Sequence, residues 1–136
     1  MQFKLQPWAF IGPQSFTGRL GIIAAAKQNK GFEYAKVLYD NQPANSENSG
    51  YLTGRDMANI AASVDGLDLA QWQKDVNSSE VQATAKAVDK LATQENIGST
   101  PSFLIGPTGG KLQNATGSSY DPAAVVQALN AAVANN

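Results

Sequence analysis

Polar and apolar residues alternate at the start of the chain. Phe3 and Leu5 are set between Gln2, Lys4 and Gln6, and Trp8 and Phe10 continue the apolar positions. A period of two is that of a strand covered on one face, so residues 2–10 are predicted as a strand. Pro7 has no N–H and restricts that strand to an edge or a bulge. Gly12-Pro13 ends it. The period then lengthens. Phe16, Leu20, Ile23 and Ala24 recur at helical spacing, with Ser15 expected as the N-cap. Gly18 and Gly21 each weaken such a helix by about 1 kcal/mol relative to Ala. They are tolerable where another backbone packs close against them.

A second helix is predicted over residues 32–42, with Phe32, Ala35, Leu38 and Tyr39 on one face. Residues 43–50 hold no apolar side chain larger than Ala and read as a surface loop. Thr53 is placed to cap a third helix carrying Met57, Ile60, Ala61 and Val64, with Asp56 closing a capping box and Gly66 ending the helix in the left-handed conformation. Asp68 caps a short helix bearing Leu69, Trp72 and Val76. Ser78 or Ser79 caps a longer one, striped by Val81, Ala85, Val88 and Leu91 or Ala92 and ending near Asn96. Residues 102–105 read as a strand, 106–110 as a turn and 111–114 as the return strand of a hairpin. Asp121-Pro122 opens a final helix with Val125, Val126, Leu129 and Val133 as its apolar face. No internal repeat is evident.

Composition narrows the chemistry. The chain has 136 residues, one domain's worth. Charged residues make up 15%, below the roughly 25% of an average soluble domain, so neutral amides and hydroxyls wet much of the surface. A net charge of −1 leaves no basic excess for phosphates, which argues against nucleic acid as a partner. Cys and His are both absent. That removes thiolate nucleophiles, Ser–His and Cys–His dyads, zinc fingers, haem ligation by His or Cys, and disulfides. Neither a metal nor a cofactor is expected. The longest apolar run, Ile22 to Ala26, is too short to cross a membrane.

Most polar features have structural explanations. Glu33 with Asp40, or Asp65 with Asp68, can be drawn as an acid–base pair, but Asp56, Asp68 and Asp121 all stand where helix caps belong. Trp72 lies on an apolar stripe and reads as core. Trp8, beside Pro7, is expected to be exposed. The glycines of 106–110 lack the Lys-Ser/Thr of a phosphate loop. Asn77-Ser78-Ser79 and Asn114-Ala115-Thr116 match the glycosylation sequon, a pattern common by chance.

Gly98-Ser99-Thr100-Pro101-Ser102-Phe103-Leu104-Ile105-Gly106 resembles the segment of thioredoxin-fold proteins in which a cis-proline begins a strand. The helical stretch before it resembles the insert of bacterial DsbA-like thiol–disulfide oxidoreductases. The matching pieces are residues 32–42, Leu52-Thr53 through Ala61-Ala62, Gly66-Leu67-Asp68, Trp72, Val76 and the helix running into Ile97-Gly98. The resemblance implies an α/β, thioredoxin-like three-layer fold, mostly helical with a small sheet. Residues 13–96 would form the helical insert and flanking helices of one truncated domain. Residues 1–12 and 97–136 would supply thioredoxin-like strands and the last helix.

The family's chemistry is thiolate attack on a disulfide through a mixed disulfide. Its Cys-x-x-Cys unit precedes the first strand seen here, and this sequence contains no such unit. The chain therefore looks like the C-terminal two-thirds of such a protein, inert in redox chemistry on its own. A Cys-free module that binds peptides or partner domains is the alternative. The resemblance further implies a substrate-binding loop at Ser99, Thr100 and Pro101, where Thr100 offers its backbone to an extended peptide of an exported protein. It implies work outside the cytoplasm. The loss of a central strand would leave sheet edges open, so a homodimer through those edges is expected.

Overall fold

The computed structural model describes residues 2–45, 49–115 and 121–134. Among these are six helices and one two-stranded sheet. The helices are α1 (Pro13–Ala26), α2 (Gly31–Asp40), α3 (Gly54–Ala62), α4 (Leu69–Asp75), α5 (Ser79–Gln94) and α6 (Pro122–Ala134). The strands are β1 (Leu104–Ile105) and β2 (Gln113–Asn114). Backbone packing separates the chain into two compact units. One is residues 5–90; the other is made of the described residues of 1–4 and 91–136.

In the first unit the apolar stripes of α1 to α4 and of the first part of α5 converge. Ile22, Ile23, Leu38, Met57, Ile60, Trp72 and Val81 form its core around Tyr34, which is completely buried. Burying each of the larger aliphatic side chains contributes about 1.5–3 kcal/mol. Tyr34 stacks on Trp72 with ring centroids 5.7 Å apart. Both rings also satisfy their polar atoms. The Tyr34 hydroxyl donates to the Met57 carbonyl at 3.2 Å, and Trp72 Nε1 donates to the Gly21 carbonyl at 3.0 Å. Gly21 has no side chain because the Tyr34 ring takes that space: a Cβ there would lie 2.7 Å from Tyr34 Cζ. The close neighbour is thus an aromatic ring, where the sequence reading expected a backbone.

Caps fix the helix ends. Thr53 and Asp56 form the capping box, with Asp56 N–H donating to Thr53 Oγ1 at 3.3 Å and Thr53 N–H to Asp56 Oδ2 at 2.8 Å. Asp68 accepts from Gln71 N–H, Ser78 from Val81 N–H and Asp121 from Ala123 N–H. Ser15 is a correction. α1 starts at Pro13 with Gly12 as its N-cap, so Ser15 lies inside the first turn. Proline suits that first position because its φ is preset and its missing N–H has no partner there anyway. Gly66 is left-handed, φ 71°, but α3 has already ended at Ala62, so it closes the next turn instead.

Residues 2–10 are the larger correction. They form no strand; the one ladder among the described residues is β1 with β2. A strand requires a partner's backbone, and an alternating sequence supplies only one side of that pairing. The large apolar side chains are not the covered ones either. Ala9 is buried, whereas Phe3, Leu5 and Phe10 are exposed. Trp8 is half-buried and stacks on Phe10 at 4.4 Å.

The second unit is thinly cored. Ala92 and Val125 are its buried apolar residues among those described. β1 and β2 pair antiparallel, Leu104 opposite Asn114 and Ile105 opposite Gln113, and Ala115 N–H donates to the Phe103 carbonyl at 2.8 Å. The strands are shorter than predicted because pairing stops at two residues on each side. The turn between them closes through Gly110 N–H to the Pro107 carbonyl, with Gly109 at φ 74°. α6 packs on β1 through a narrower face than expected. Val125 is buried, but Val126 and Val133 are exposed.

Candidate functional site

The end of α5 aims the loop that carries Ser99, Thr100 and Pro101. Asn96 adopts the left-handed conformation, φ 52°. Ile97 N–H donates to the Ala92 carbonyl at 2.8 Å, and Asn96 N–H to that of Thr93 at 3.3 Å. These two bonds are a Schellman motif, which closes the helix and turns the chain sharply out of it. Seven residues after Ile97, at Leu104, the chain enters β1. Between them Ser99, Thr100 and Pro101 are all exposed, and the Thr100–Pro101 peptide bond is cis.

The hydrogen bonding of this loop is uneven. The Ser102 hydroxyl donates to the Ser99 carbonyl at 2.7 Å. Pro101 has no N–H to offer. The Thr100 N–H and carbonyl have no partner among the described residues. In the adjoining ladder Phe103 and Ile105 direct their backbone groups toward β2, so antiparallel geometry turns those of Leu104 to the opposite edge. Residues 96–110 carry no charge, so this surface can act through backbone hydrogen bonds and apolar contact. Among the described residues no base engages the Ser99, Thr100 or Ser102 hydroxyl, so the loop has no activated nucleophile.

The remaining candidates disperse. Asp56 and Asp68 are spent on caps, and the Thr53 hydroxyl and N–H hold the Asp56 carboxyl below its usual range. Asp40 pairs with Lys36 one turn earlier. Among the described residues no group of three or more acidic side chains could hold a metal ion. A shallow depression of about 370 Å³ beside α2 and α3 is lined by Val37, Leu52, Tyr51 and Ile60, and among the described residues its one carboxylate is Asp56 of the capping box.

The sequence reading missed the long-range ion pairs. Lys27 Nζ, at the end of α1, donates to Asp75 at 2.8 Å and to Glu80 at 2.6 Å, joining α4 and α5. Asp75 is buried, and the Lys27 ammonium, with help from Gln71, holds its carboxyl below the usual range. Bonds to Asp75 and Glu80 in turn raise the Lys27 ammonium above its own. Arg19 forks onto Asp89 with bonds of 2.5 and 3.1 Å. Partners 48 to 70 residues apart leave no local signal.

Comparison with known proteins bears on this architecture. The solved structure of a thioredoxin-like oxidoreductase from Silicibacter pomeroyi DSS-3 is similar, with a TM-score of 0.65 and 22% identity. The match covers 95% of this chain and 66% of that one, so this chain spans slightly under two thirds of that protein's length. At that identity the likeness concerns the fold. No curated protein sequence matches the chain. The family model described as thioredoxin matches residues 5–119. A helical chain with a small two-stranded sheet, matched over most of its length, therefore belongs to the thioredoxin family and has a thioredoxin-like fold.

Proposed function

We propose that this chain is the peptide-presenting portion of a DsbA-like thiol–disulfide oxidoreductase that acts on exported proteins outside the cytoplasm. The observation carrying the reading is Thr100: exposed, beside Pro101, with both backbone groups unpartnered among the described residues. An extended peptide adds to such a backbone as a further strand and gains one hydrogen bond for each group it meets. The uncharged segment 96–110 suits an unfolded chain recognised by its main chain. The chain has no sulfur nucleophile of its own, so thiol exchange must use cysteines outside this sequence. Its expected contribution is to hold the substrate while they react.

The test is a titration of the ¹⁵N-labelled chain with an uncharged, cysteine-free extended heptapeptide. Shift changes centred on Thr100 are expected, and they should be lost with a peptide N-methylated along its backbone. No binding, or binding that survives N-methylation, refutes main-chain recognition at this loop. The absence of Cys also favours a second reading, a binding module without redox work. A Cys-x-x-Cys unit elsewhere in the complete polypeptide decides for the oxidoreductase.

A further inference from the structure

We propose that Ser102 is a positioning residue for the peptide-docking loop, an inference that rests on the reading of Thr100 given above. The Ser102 hydroxyl donates to the Ser99 carbonyl at 2.7 Å across three residues. Ser102 directly precedes Phe103, whose carbonyl is paired to Ala115 in the hairpin. The bond therefore fastens the near side of the loop to the residue next to one that the hairpin holds.

This bond has two consequences. It occupies the Ser99 carbonyl, and Pro101 lacks an N–H, so Thr100 supplies both a backbone donor and an acceptor where its neighbours cannot. It also limits the conformations open to an exposed loop before any peptide arrives. Pre-organisation of this kind raises affinity by reducing what must be ordered on binding. Within the docking segment, Ser99 is thereby a structural residue and Thr100 the docking residue.

Two measurements on Ser102→Ala and Ser102→Thr test the proposal. In the free protein, ¹⁵N order parameters at Ser99 and Thr100 should fall in Ser102→Ala from the rigid range, about 0.85, toward about 0.6. Gln113 and Ala115, on the far side of the hairpin, should be unchanged, which also shows that the variant is folded. Ser102→Thr keeps the hydroxyl and should restore both values. The same heptapeptide should bind Ser102→Ala about fivefold more weakly than wild type and Ser102→Thr as well as wild type. Unchanged order parameters in Ser102→Ala, or equal peptide affinity in the presence of wild-type binding, overturn this proposal alone. Absence of binding by the wild type overturns the docking reading and this proposal together.

Discussion

Replacing Gly21 with Ala opposes two effects whose sizes the structure allows to be compared. Gly21 lies in the middle of α1, and on propensity alone Ala is better there by about 1 kcal/mol. Against that, the new Cβ would lie 2.7 Å from Tyr34 Cζ and 2.9 Å from Cε1. The obstacle is a ring, and it is held on two sides: Trp72 stacks on it and Met57 accepts its hydroxyl hydrogen. Overpacking of this kind costs about 1–3 kcal/mol. Moving the ring away also stretches the Tyr34–Met57 bond, worth about 1 kcal/mol. The net expectation is destabilisation by about 1–3 kcal/mol. That would lower the urea midpoint by about 1 M, read by far-ultraviolet circular dichroism.

Gly18→Ala is the control. Its Cβ would meet Leu52 Cδ2 at 3.2 Å, the free end of a flexible side chain, so the helix gain offsets the contact and stability should change by less than about 0.5 kcal/mol. A Gly21→Ala protein as stable as wild type would mean that the Tyr34 ring does not occupy that space.

Three further outcomes follow from caps and titrating groups. Thr53→Ala should cost about 1 kcal/mol in denaturant unfolding, whereas Ser15→Ala, which removes no cap, should stay within about 0.5 kcal/mol. Burial raises the Tyr34 phenol above its ordinary range, so its contribution is complete below about pH 10 and is lost as pH rises and the unfolded tyrosine ionises. Lys27, also raised, loses its contribution in the same alkaline direction. Tyr34→Phe should therefore flatten part of the alkaline decline in a pH series of urea midpoints, and an unchanged decline would argue against a buried phenol. At the acid end the sign is opposite. Asp75 and Asp56 are held low, so their contributions are present above about pH 4 and disappear as pH falls through the lower folded values. Asp75→Asn should flatten that acid limb, and an equally steep limb would contradict the Lys27–Asp75 pairing.

Much of the helical unit was legible because its signals are local. Thr53, Asp68 and Asp121 cap within three residues of themselves, and the stripe from Val81 to Ala92 repeats within one helix. Ser15 misled because its residue type suits a cap, while the backbone had already begun its helix at Pro13. The Lys27, Asp75 and Glu80 cluster was invisible for a different reason. It joins three elements, and each charge taken singly looks like a solvated surface residue. On α6 the pattern showed apolar residues nearly all round, which does not say which of them a neighbour covers. Val125 is covered, and Val126 and Val133 are not.

The failed strand and the candidate site have one physical origin. The apolar residues of 2–10 suggested a covered face, yet Phe3, Leu5 and Phe10 are exposed, and a strand is made by hydrogen bonds to a second backbone, which side-chain pattern does not encode. The Ser99–Pro101 loop was read from its residue types and order. What distinguishes it in three dimensions is again main chain: the Thr100 N–H and carbonyl without partners among the described residues and the Ser99 carbonyl already taken by Ser102. Side-chain identity acts there indirectly. Asn96 accepts a left-handed turn, Pro101 removes a donor, and Ser102 supplies one. A site of this kind can recognise many sequences, because every peptide except at proline carries the same N–H and C=O. The docking proposed for Thr100 would select for extended, unpaired backbone, which is the feature that separates an unfolded chain from a folded one.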